Sequence, residues 1–450
     1  MKSSIPRESY QALLAPRSIA VMGASGDPSK AGGRPIAYLK ALRYQGGIYP
    51  VNPARSEIAG LRCYPNLAAI GAPVDLCVIT LPANQVEAAL QECVAAKVPA
   101  AVVFSSGFAE VGAEGRALQD RMRDLAEQNG IALCGPNCLG LISVAAKAAA
   151  TFTTALERRP DLPFGHVGFI SQSGAIAAFI LALMQDQGLG LSHFITTGNE
   201  ASLGFTDYAL HLLDEPEVRV IAGYVEGLAR DDLVALAGKA REKKKPLVLM
   251  KVGASAAGAR ASLAHTGNLV GNDAAYAAAF RQFGIVRPQS VDELLDFSHV
   301  LAISPLPRGT GAGIITISGG AGILMADWCE ASGLDVVPLA ADTVNRLKPV
   351  APWFATPANP LDTTGRRSGM PACWSRRSRR WRPIPASISC WSMSAWRLGR
   401  RCASRTKSWP GPGRRKASRS WSAGCPKTKP RPMPACARPA CRSLPNRCGW

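Results

Sequence analysis

The chain has 450 residues, enough for several domains with separate hydrophobic cores. Its formal net charge of +20 at pH 7 suggests a nucleic-acid or anionic-membrane partner, but this charge is unevenly distributed. Residues 366–450 hold 22 of the 52 Lys and Arg residues and no Asp or Glu, so residues 1–365 carry 30 basic and 32 acidic side chains. This near-neutral body excludes a nucleic-acid-binding role carried by the bulk charge, so we expect no nucleic-acid partner.

The cysteines and the N-terminus exclude further classes of protein. Residues 1–365 contain six of the 13 Cys and no CxxC pair, so the sequence predicts no zinc or redox site and no disulfide framework. The N-terminus lacks the apolar core of a signal peptide, and no segment stays apolar over the ~20 residues that a spanning helix needs. We therefore expect a cytoplasmic protein with no metal site and no membrane partner.

The first module alternates short Val- and Ile-rich runs with amphipathic stretches. These patterns predict strands at residues 18–22, 48–51, 76–80, 101–104 and 132–134, and helices at 85–96 and 115–128. Short buried strands that alternate with helices are typical of βαβ units around a parallel sheet. We expect this α/β module to span residues 1–145.

The same pattern then restarts twice. Strands are predicted at 167–170, 191–195, 218–225 and 246–251, and helices at 176–187, 205–213, 231–242 and 273–282. After a linker at 304–311, rich in Pro and Gly, come a strand at 313–317, a helix at 322–331 and a strand at 334–337. We expect a second α/β domain over 146–303 and a partial third over 304–365.

The last segment, residues 366–450, differs from the rest of the chain. It consists mainly of Arg, Ser, Pro, Cys, Trp and Ala, without hydrophobic periodicity, and it holds seven of the nine Trp residues. This composition is typical of a GC-rich coding strand read out of frame, and a disordered basic arm or a folded tail domain are the alternatives. We expect residues 366–450 not to pack, because so few aliphatic side chains cannot offset the ordering entropy.

The first motif is a glycine turn in SIAVMGASGDPSKAGG. Gly23 and Gly26 allow a tight turn from a strand into a helix, whose free N–H groups would bind a phosphate. The GxGxxG fingerprint is absent, so the turn indicates a variant of the Rossmann pattern. Alone it leaves two readings open, a nucleotide-like ligand or a plain glycine turn.

Four more loops follow later strands of the first module: YPVNP, TLPAN, SSGFAE and GPNCLG. In a parallel sheet such loops meet at the carboxyl edge, where ligands bind. A single Pro- or Asn-rich loop is usually only a loop. Four on one edge predict a binding cleft.

Two helix starts in the later modules have the same Ser- and Gly-rich form. HVGFISQSGAIAAF places Ser171 and Ser173 where a strand gives way to a helix, which suits an anion, although an N-cap is the simpler reading. IITISGGAGILMAD repeats this layout with Ser318, Gly319, Gly320 and Gly322. Two such helix ends would allow one phosphate to be held from both sides.

A phosphoryl acceptor is sought among five histidines. His265 alone lies in a loop of small residues, GASAAGARASLAHTGNLVG, and a neutral imidazole is a good acceptor, although a loop histidine is often merely exposed. Such an imidazole needs a carboxylate on its other nitrogen. Glu226, at the end of the strand VIAGYVEG, is the first candidate, and Glu200 in TTGNEAS is the second.

These motifs, in this order, resemble the nucleoside-diphosphate-forming acyl-CoA synthetases, especially the ADP-forming acetate–CoA ligases, with the succinyl-CoA synthetase α subunit as a relative. The resemblance covers residues 14 to about 365 and rests on GPNCLG, SQSGA and SLAHTG. It implies an α/β fold with a Rossmann-like CoA-binding domain and flavodoxin-like parallel-sheet domains, the last one truncated. It also implies a CoA site lined by Gly23, Ser25, Gly26, Lys30, Asn52, Pro53, Leu81, Pro82, Ser105, Ser106, Gly107 and Asn137.

The resemblance further implies the roles of the catalytic motifs. His265 is then the phosphohistidine and Glu226 its partner. The phosphate lies between the helices that begin after Ser173 and Gly320, within a set formed by Ser171, Ser173, Gly174, Ser318, Gly319, Gly320 and Gly322.

The implied reaction interconverts acyl-CoA, phosphate and ADP with a carboxylic acid, CoA and ATP. ATP, ADP and Mg²⁺ would bind an ATP-grasp domain, which we do not find in the sequence, so we expect a partner β subunit or a lost fused domain, and an oligomer. An inactive or regulatory CoA-binding remnant is the alternative. A nucleic-acid-binding protein acting through residues 366–450 is a third possibility.

Overall fold

The computed structural model describes residues 5–258, 260, 273–349, 357–363 and 388–392, the last of these by backbone alone. The chain divides into two compact units, Met1–Leu306 and Pro307–Trp450, which are described separately. Within the described residues, no helix combines the length and apolarity needed to cross a bilayer.

The first layer of the N-terminal unit is a five-stranded parallel sheet. In chain order its region contains α1 (Arg7–Leu14), β1 (Ser18–Met22), α2 (Arg34–Ala41), β2 (Gly47–Val51), β3 (Glu57–Ile58), β4 (Leu61–Arg62), β5 (Leu76–Ile79), α3 (Ala83–Ala95), β6 (Ala100–Val103), α4 (Ala113–Gln128) and β7 (Ala132–Cys134). Strands β1, β5 and β6 are buried along their whole length, as continuous apolar runs require in a sheet with both faces covered. The five predicted strands are confirmed to within one residue at each end.

The strand order of this sheet fixes where a ligand would bind. The order is β2-β1-β5-β6-β7, so β2 lies on one side of β1 and the later strands lie on the other. The chain runs from β1 to β2 on one side of β1, and the next long strand, β5, lies on the other side of β1. The order of the strands therefore reverses between β1 and β5. In open α/β sheets, the crevice at this switch point is the usual ligand site.

The second sheet of the same unit has six strands. Its region contains β8 (Gly140–Ser143), β9 (Ala148–Thr151), α5 (Ala155–Arg158), β10 (Phe164–Ser171), α6 (Gly174–Gln187), β11 (Leu191–Thr196), α7 (Phe205–Leu212), β12 (Val220–Val225), α8 (Arg230–Lys243), β13 (Leu247–Lys251), α9 (Asp273–Phe283) and α10 (Val291–Ile303). The order is β13-β12-β10-β11-β8-β9. The first four strands are parallel, as predicted, and β8 and β9 pair antiparallel at one edge.

The second sheet has its own switch point, between β10 and β12. One apolar cluster contains residues of both sheets, among them Ile19 and Val78 of the first and Ile170 and Ile221 of the second. The two sheets therefore share one hydrophobic core, and the loops at their edges belong to the same compact unit.

The C-terminal unit is small. It contains β14 (Gly311–Thr316), α11 (Gly319–Ala331), α12 (Ala341–Leu347), β15 (Leu361–Asp362) and β16 (Ile388–Ser392), with strand order β15-β14-β16 and both neighbours parallel to β14.

One strand prediction in this unit is wrong. Residues 334–337 form no strand, only one isolated bridge between Asp335 and Gly311. The Asp335 side chain accepts a hydrogen bond from the Thr310 hydroxyl, and Pro338 lacks the N–H needed to extend a ladder. Residues Ile388–Ser392 form β16, whose backbone pairs parallel with β14. That residues 366–450 do not pack stays a prediction.

Candidate functional site

The glycine turn after β1 lies at the switch point of the first sheet. Gly23 has φ +80°, and a Cβ there would lie 2.7 Å from Oγ1 of Thr80, the residue that follows β5. That hydroxyl donates to the Met22 and Gly23 carbonyls at 2.9 and 3.1 Å. Gly23 is therefore required by a close contact between the ends of β1 and β5.

The helix after this turn begins directly after the SIAVMGASGDPSKAGG segment. α2 starts at Arg34, so a loop containing Gly26 and Lys30 separates the turn from the helix. Within this loop, Ser25 accepts a hydrogen bond from the Asp27 N–H at 3.1 Å, and Gly26 and Lys30 are exposed. The predicted order of strand, turn and helix is present, with a loop that folds on itself before the helix starts.

The other predicted CoA loops meet this turn through hydrogen bonds. The Asn52 side chain donates to the Ala24 carbonyl at 2.9 Å, and Pro53 beside it is exposed. The Ser105 hydroxyl donates to the carbonyl of Leu81, which precedes Pro82. The edge of the first sheet is thus one connected surface.

This surface continues to the GPNCLG loop. The Asn137 N–H donates to the Ser105 carbonyl at 2.8 Å, while Ser106 is exposed and Gly107 has φ +108°. Asn137 itself is exposed, with φ +56°, a backbone region that asparagine tolerates better than most residues. The predicted CoA-site residues therefore lie along one edge of one sheet.

A loop of the second sheet, residues 197–201, packs onto the GPNCLG loop. The Asn199 N–H donates to the Pro136 carbonyl at 2.9 Å, and a Cβ at Gly198 would lie 2.2 Å from that oxygen. The Asn137 side chain donates to Asn199 Oδ1 at 3.1 Å, and the Asn199 side chain donates to Glu110. The edges of the two sheets are therefore joined.

The carboxylate of Glu110 is held in this junction. It accepts hydrogen bonds from the Gly107 N–H and from Asn199. Burial acts to raise the pKa of Glu110, but these hydrogen bonds outweigh it and lower the pKa. Glu110 therefore serves as an ionised anchor for the loop that carries Ser105 and Gly107.

The start of α6 lies at the switch point of the second sheet. Ser173 occupies the N-cap position, but its side chain accepts no capping hydrogen bond from the helix. The Ser171 hydroxyl instead donates to the Ser173 carbonyl at 2.7 Å and accepts from the Ser173 N–H at 3.2 Å. Gly174, the first helical residue, packs against Leu139, to which a Cβ would come within 3.0 Å. The simpler N-cap reading is therefore wrong for the Ser173 side chain.

Gln172 connects this helix start to Glu226. Its Oε1 accepts hydrogen bonds from the Glu226 N–H at 2.7 Å and the Gly227 N–H at 3.1 Å. Its Nε2 donates to Glu200 Oε1 at 3.1 Å and to the Gly227 carbonyl at 3.0 Å. One amide thus fixes the end of β12 to the end of β10, and it contacts the backbone of Glu226 and the carboxylate of Glu200.

Glu200 lies behind this junction rather than on an open surface. Its Oε1 also accepts from the Thr197 hydroxyl at 2.8 Å and from the Phe205 N–H at 3.1 Å, at the start of α7. Burial raises the pKa of Glu200, although these hydrogen bonds oppose the shift. These contacts make Glu200 a structural link between loops, and leave Glu226 as the candidate partner of a phosphorylated imidazole.

The histidines distribute unequally over the structure. His265 lies outside the described residues. The His166 ring forms a hydrogen bond with the Glu217 carbonyl at 2.7 Å, and the partial burial of His193 lowers its pKa to about 4. His211 stacks on Tyr10 at a centroid distance of 5.0 Å, and His299 lies within α10. None of the four described histidines lies in a loop at the carboxyl edge.

In the C-terminal unit, α11 begins at Gly319 and Ser318 caps it by accepting from the Ala321 N–H at 3.5 Å. A Cβ at Gly319 would approach Asp362 to 3.1 Å, and one at Gly322 would approach Pro360 equally closely. Gly320 is exposed. The N-cap reading is confirmed for Ser318, and the two glycines allow residues 360–362 to lie against the helix start.

Comparisons with known proteins decide the family. Models of a CoA binding domain and of a succinyl-CoA ligase like flavodoxin domain match residues 17–143 and 164–301. The ADP-forming acetate–CoA ligase II subunit alpha of Pyrococcus furiosus is 38% identical over 348 residues, which are 77% of this chain and 74% of that protein. The chain belongs to the ADP-forming acetate–CoA ligase family.

Other members of the family differ in length. ADP-forming acetate–CoA ligase I of Archaeoglobus fulgidus is 37% identical over 354 residues, which cover 78% of this chain but 50% of that ligase. The dinucleotide forming acetyl-coenzyme A synthetase 1 of Ca. Korarchaeum cryptofilum, solved with phosphate and ADP, superposes with a TM-score of 0.73. It is 34% identical, over 80% of this chain and 76% of that chain. This chain thus spans most of a ligase α subunit and half of the longer Archaeoglobus ligase.

Sequence reasoning missed several residues at these sheet edges. Gln172, Asn199 and Lys251 were not singled out, although each follows or ends an apolar strand run. Among the described residues, no group of three or more His, Cys, Asp or Glu side chains is arranged to hold a metal ion.

Proposed function

We propose that the chain is the CoA-binding, phosphohistidine-carrying part of an ADP-forming acyl-CoA synthetase. It would convert acyl-CoA and phosphate into acyl phosphate and CoA, and then transfer the phosphoryl group to His265. The observation that carries this proposal is the Gln172 amide. It joins the uncapped start of α6 to Glu226 at the switch point of the second sheet.

CoA would bind along the edge of the first sheet. The exposed loop with Gly26 and Lys30 offers backbone N–H groups and a cation to phosphates, and Asn52 holds its base in place. The loops with Leu81, Ser105 and Asn137 would contact the rest of CoA. The hydrogen bond between the Asn137 and Asn199 side chains joins this edge to the second sheet. The thioester of a CoA bound along this edge could therefore reach the phosphate site.

Phosphate would bind at the start of α6. The free N–H groups of that helix stabilise an anion, as do the oriented dipoles behind them. A phosphate oxygen attacks the thioester carbonyl, the C–S bond breaks, and CoA leaves as a thiolate that takes a proton. The neutral imidazole of His265 then attacks phosphorus, and the P–O bond to the acyl oxygen breaks to release a carboxylate.

Glu226 would orient the imidazole and balance its charge as the N–P bond forms. Its backbone is fixed by Gln172, so the carboxylate starts from a defined position at the strand end. In the second half of the reaction, ADP would accept the phosphoryl group. The nucleotide and Mg²⁺ would be held by an ATP-grasp partner or fused domain, with assembly into an oligomer.

Single-turnover release of CoA tests this proposal without any nucleotide. The full chain is mixed with acetyl-CoA, with and without phosphate, and free CoA is measured by chromatography. We expect a burst of about one CoA per chain that requires phosphate, because the histidine is loaded once. Calorimetry should also detect binding of CoA to the chain but no binding of NAD. Absence of the burst despite CoA binding would instead indicate a CoA-binding remnant.

A further inference from the structure

A buried lysine ends the strand beside Glu226. Lys251 is the last residue of β13, in the run LVLMK, and only 5% of its surface is exposed. Its backbone pairs with Val225, the residue before Glu226. The Lys251 side chain therefore originates on the same carboxyl edge as the proposed phosphate site.

The surroundings of this ammonium group do not match its charge. Among the described residues, its one hydrogen-bond acceptor is the Val252 carbonyl, and its Nζ lies 4.8 Å from the centroid of the Tyr276 ring. The nearby Asp273 is already paired with Arg287. An ammonium group has three N–H donors, so one carbonyl and one ring leave it room for a further acceptor among the described residues.

Tyr276 places the ammonium next to the end of β12. The Tyr276 hydroxyl both donates to the Leu228 carbonyl and accepts from the Leu228 N–H, each at 2.8 Å. Leu228 is two residues after Glu226, and the negative charge of Glu226 acts on Lys251. The ring thus supports the lysine from a segment that Gln172 also fixes.

The distance from Lys251 to the start of α6 suits a shared ligand. The strands β10, β12 and β13 are neighbours, and Ser171 pairs with Tyr224, which pairs with Met250. With about 4.8 Å between strands, the ends of β10 and β13 are about 10 Å apart. To reach an anion at the start of α6, the ammonium would leave the Val252 carbonyl and the lysine side chain would extend across this gap.

We infer that Lys251 is an anion-binding residue of this site, whose ammonium group binds the oxygens of phosphate and of the phosphoryl group during its transfer. This inference deepens the proposed function and rests on it. The ammonium supplies the positive charge that the α6 N–H groups provide only in part. It would act together with Glu226, which follows the neighbouring strand β12 and would orient the imidazole of His265.

The alternative is that Lys251 merely fills the strand end with its aliphatic stem. Substitution separates the two roles. Lys251→Met and Lys251→Gln remove the charge, while Lys251→Arg keeps it. Lys245→Met is the matched control, because Lys245 precedes β13 at the opposite edge and donates to the Leu213 and Glu215 carbonyls.

The phosphate dependence of the single-turnover CoA release is measured for each variant, along with calorimetric CoA affinity and thermal unfolding. We expect both neutral variants to need at least about tenfold more phosphate, equivalent to about 1.4 kcal/mol, with CoA affinity unchanged. Lys251→Arg should retain most phosphate affinity, and Lys245→Met should lose stability alone. If Lys251→Met does not fold, Lys251→Gln carries the same test.

Wild-type phosphate dependence in a folded neutral variant would overturn the inference, even if its stability fell. A wild-type chain without phosphate-dependent CoA release would instead overturn the proposed function itself. A wild-type burst with unaltered neutral variants therefore refutes only the role of Lys251.

Discussion

The Gln172 amide offers a direct perturbation of the site. All four of its hydrogen bonds go to protein groups: the Glu226 and Gly227 N–H groups, the Gly227 carbonyl and Glu200 Oε1. Gln172→Met keeps the length and flexibility of the side chain but removes every polar atom. The substitution therefore tests the junction with little change in volume.

The structure sets the size of the effect. Four groups lose a partner, and each such loss costs about 1 kcal/mol when water can partly replace the bond, or up to about 3 kcal/mol when it cannot. Glu226 and Gly227 are only half-buried, so water can reach some of these groups. We expect the free energy of unfolding to fall by about 4 kcal/mol, the lower end of this range.

Urea unfolding followed by circular dichroism measures this loss. Gln187→Met is the matched control, because Gln187 is exposed at the end of α6 and should change stability by less than about 0.5 kcal/mol. Phosphate-dependent CoA release should also slow in Gln172→Met, since Glu226 is no longer fixed. A loss no larger than that of the control would refute the role given to this amide.

Three further predictions concern neighbouring contacts. The pKa of Glu200 is raised in the folded state, so its contribution to stability falls as pH rises through that pKa. Glu200→Gln should therefore flatten the fall in the free energy of unfolding between acidic and neutral buffers. An unchanged pH profile would contradict this. Gly198→Ala should destabilise by about 1–3 kcal/mol more than Gly284→Ala in urea unfolding, because both glycines have positive φ but only Gly198 faces a carbonyl; equal losses would count against the close contact. Tyr38→Phe removes a buried 2.8 Å hydrogen bond to the Thr153 carbonyl and should cost about 1–2 kcal/mol in the same assay, whereas wild-type stability would exclude that bond.

The sequence predicted most strands of the N-terminal unit because they are continuous apolar runs buried on both faces. It missed β9, whose residues Ala148–Thr151 read AAAT and have little intrinsic preference for a strand. That strand forms because β8 pairs with β11 and leaves an edge for it. Such pairing depends on tertiary contacts that no local pattern carries.

The site was predictable to a similar extent. Gly and Asn loops after predicted strands located the first edge, since parallel strands bring such loops together. Gln172 was not predictable in this way, because its partners lie 54 and 55 residues away and meet it only when β12 lies beside β10. Lys251 did leave a signal, a cation that ends an otherwise apolar strand run.

Mapping the phosphoryl group tests the central claim most directly. The full chain and His265→Asn are incubated with acetyl-CoA and radiolabelled phosphate, and the modified peptide is identified by mass spectrometry under alkaline conditions. We predict an acid-labile, base-stable label on His265 in the wild type and no label in His265→Asn, with equal CoA affinity in both. A label that persists in His265→Asn, or a wild-type chain that binds CoA but takes no label, would contradict the account.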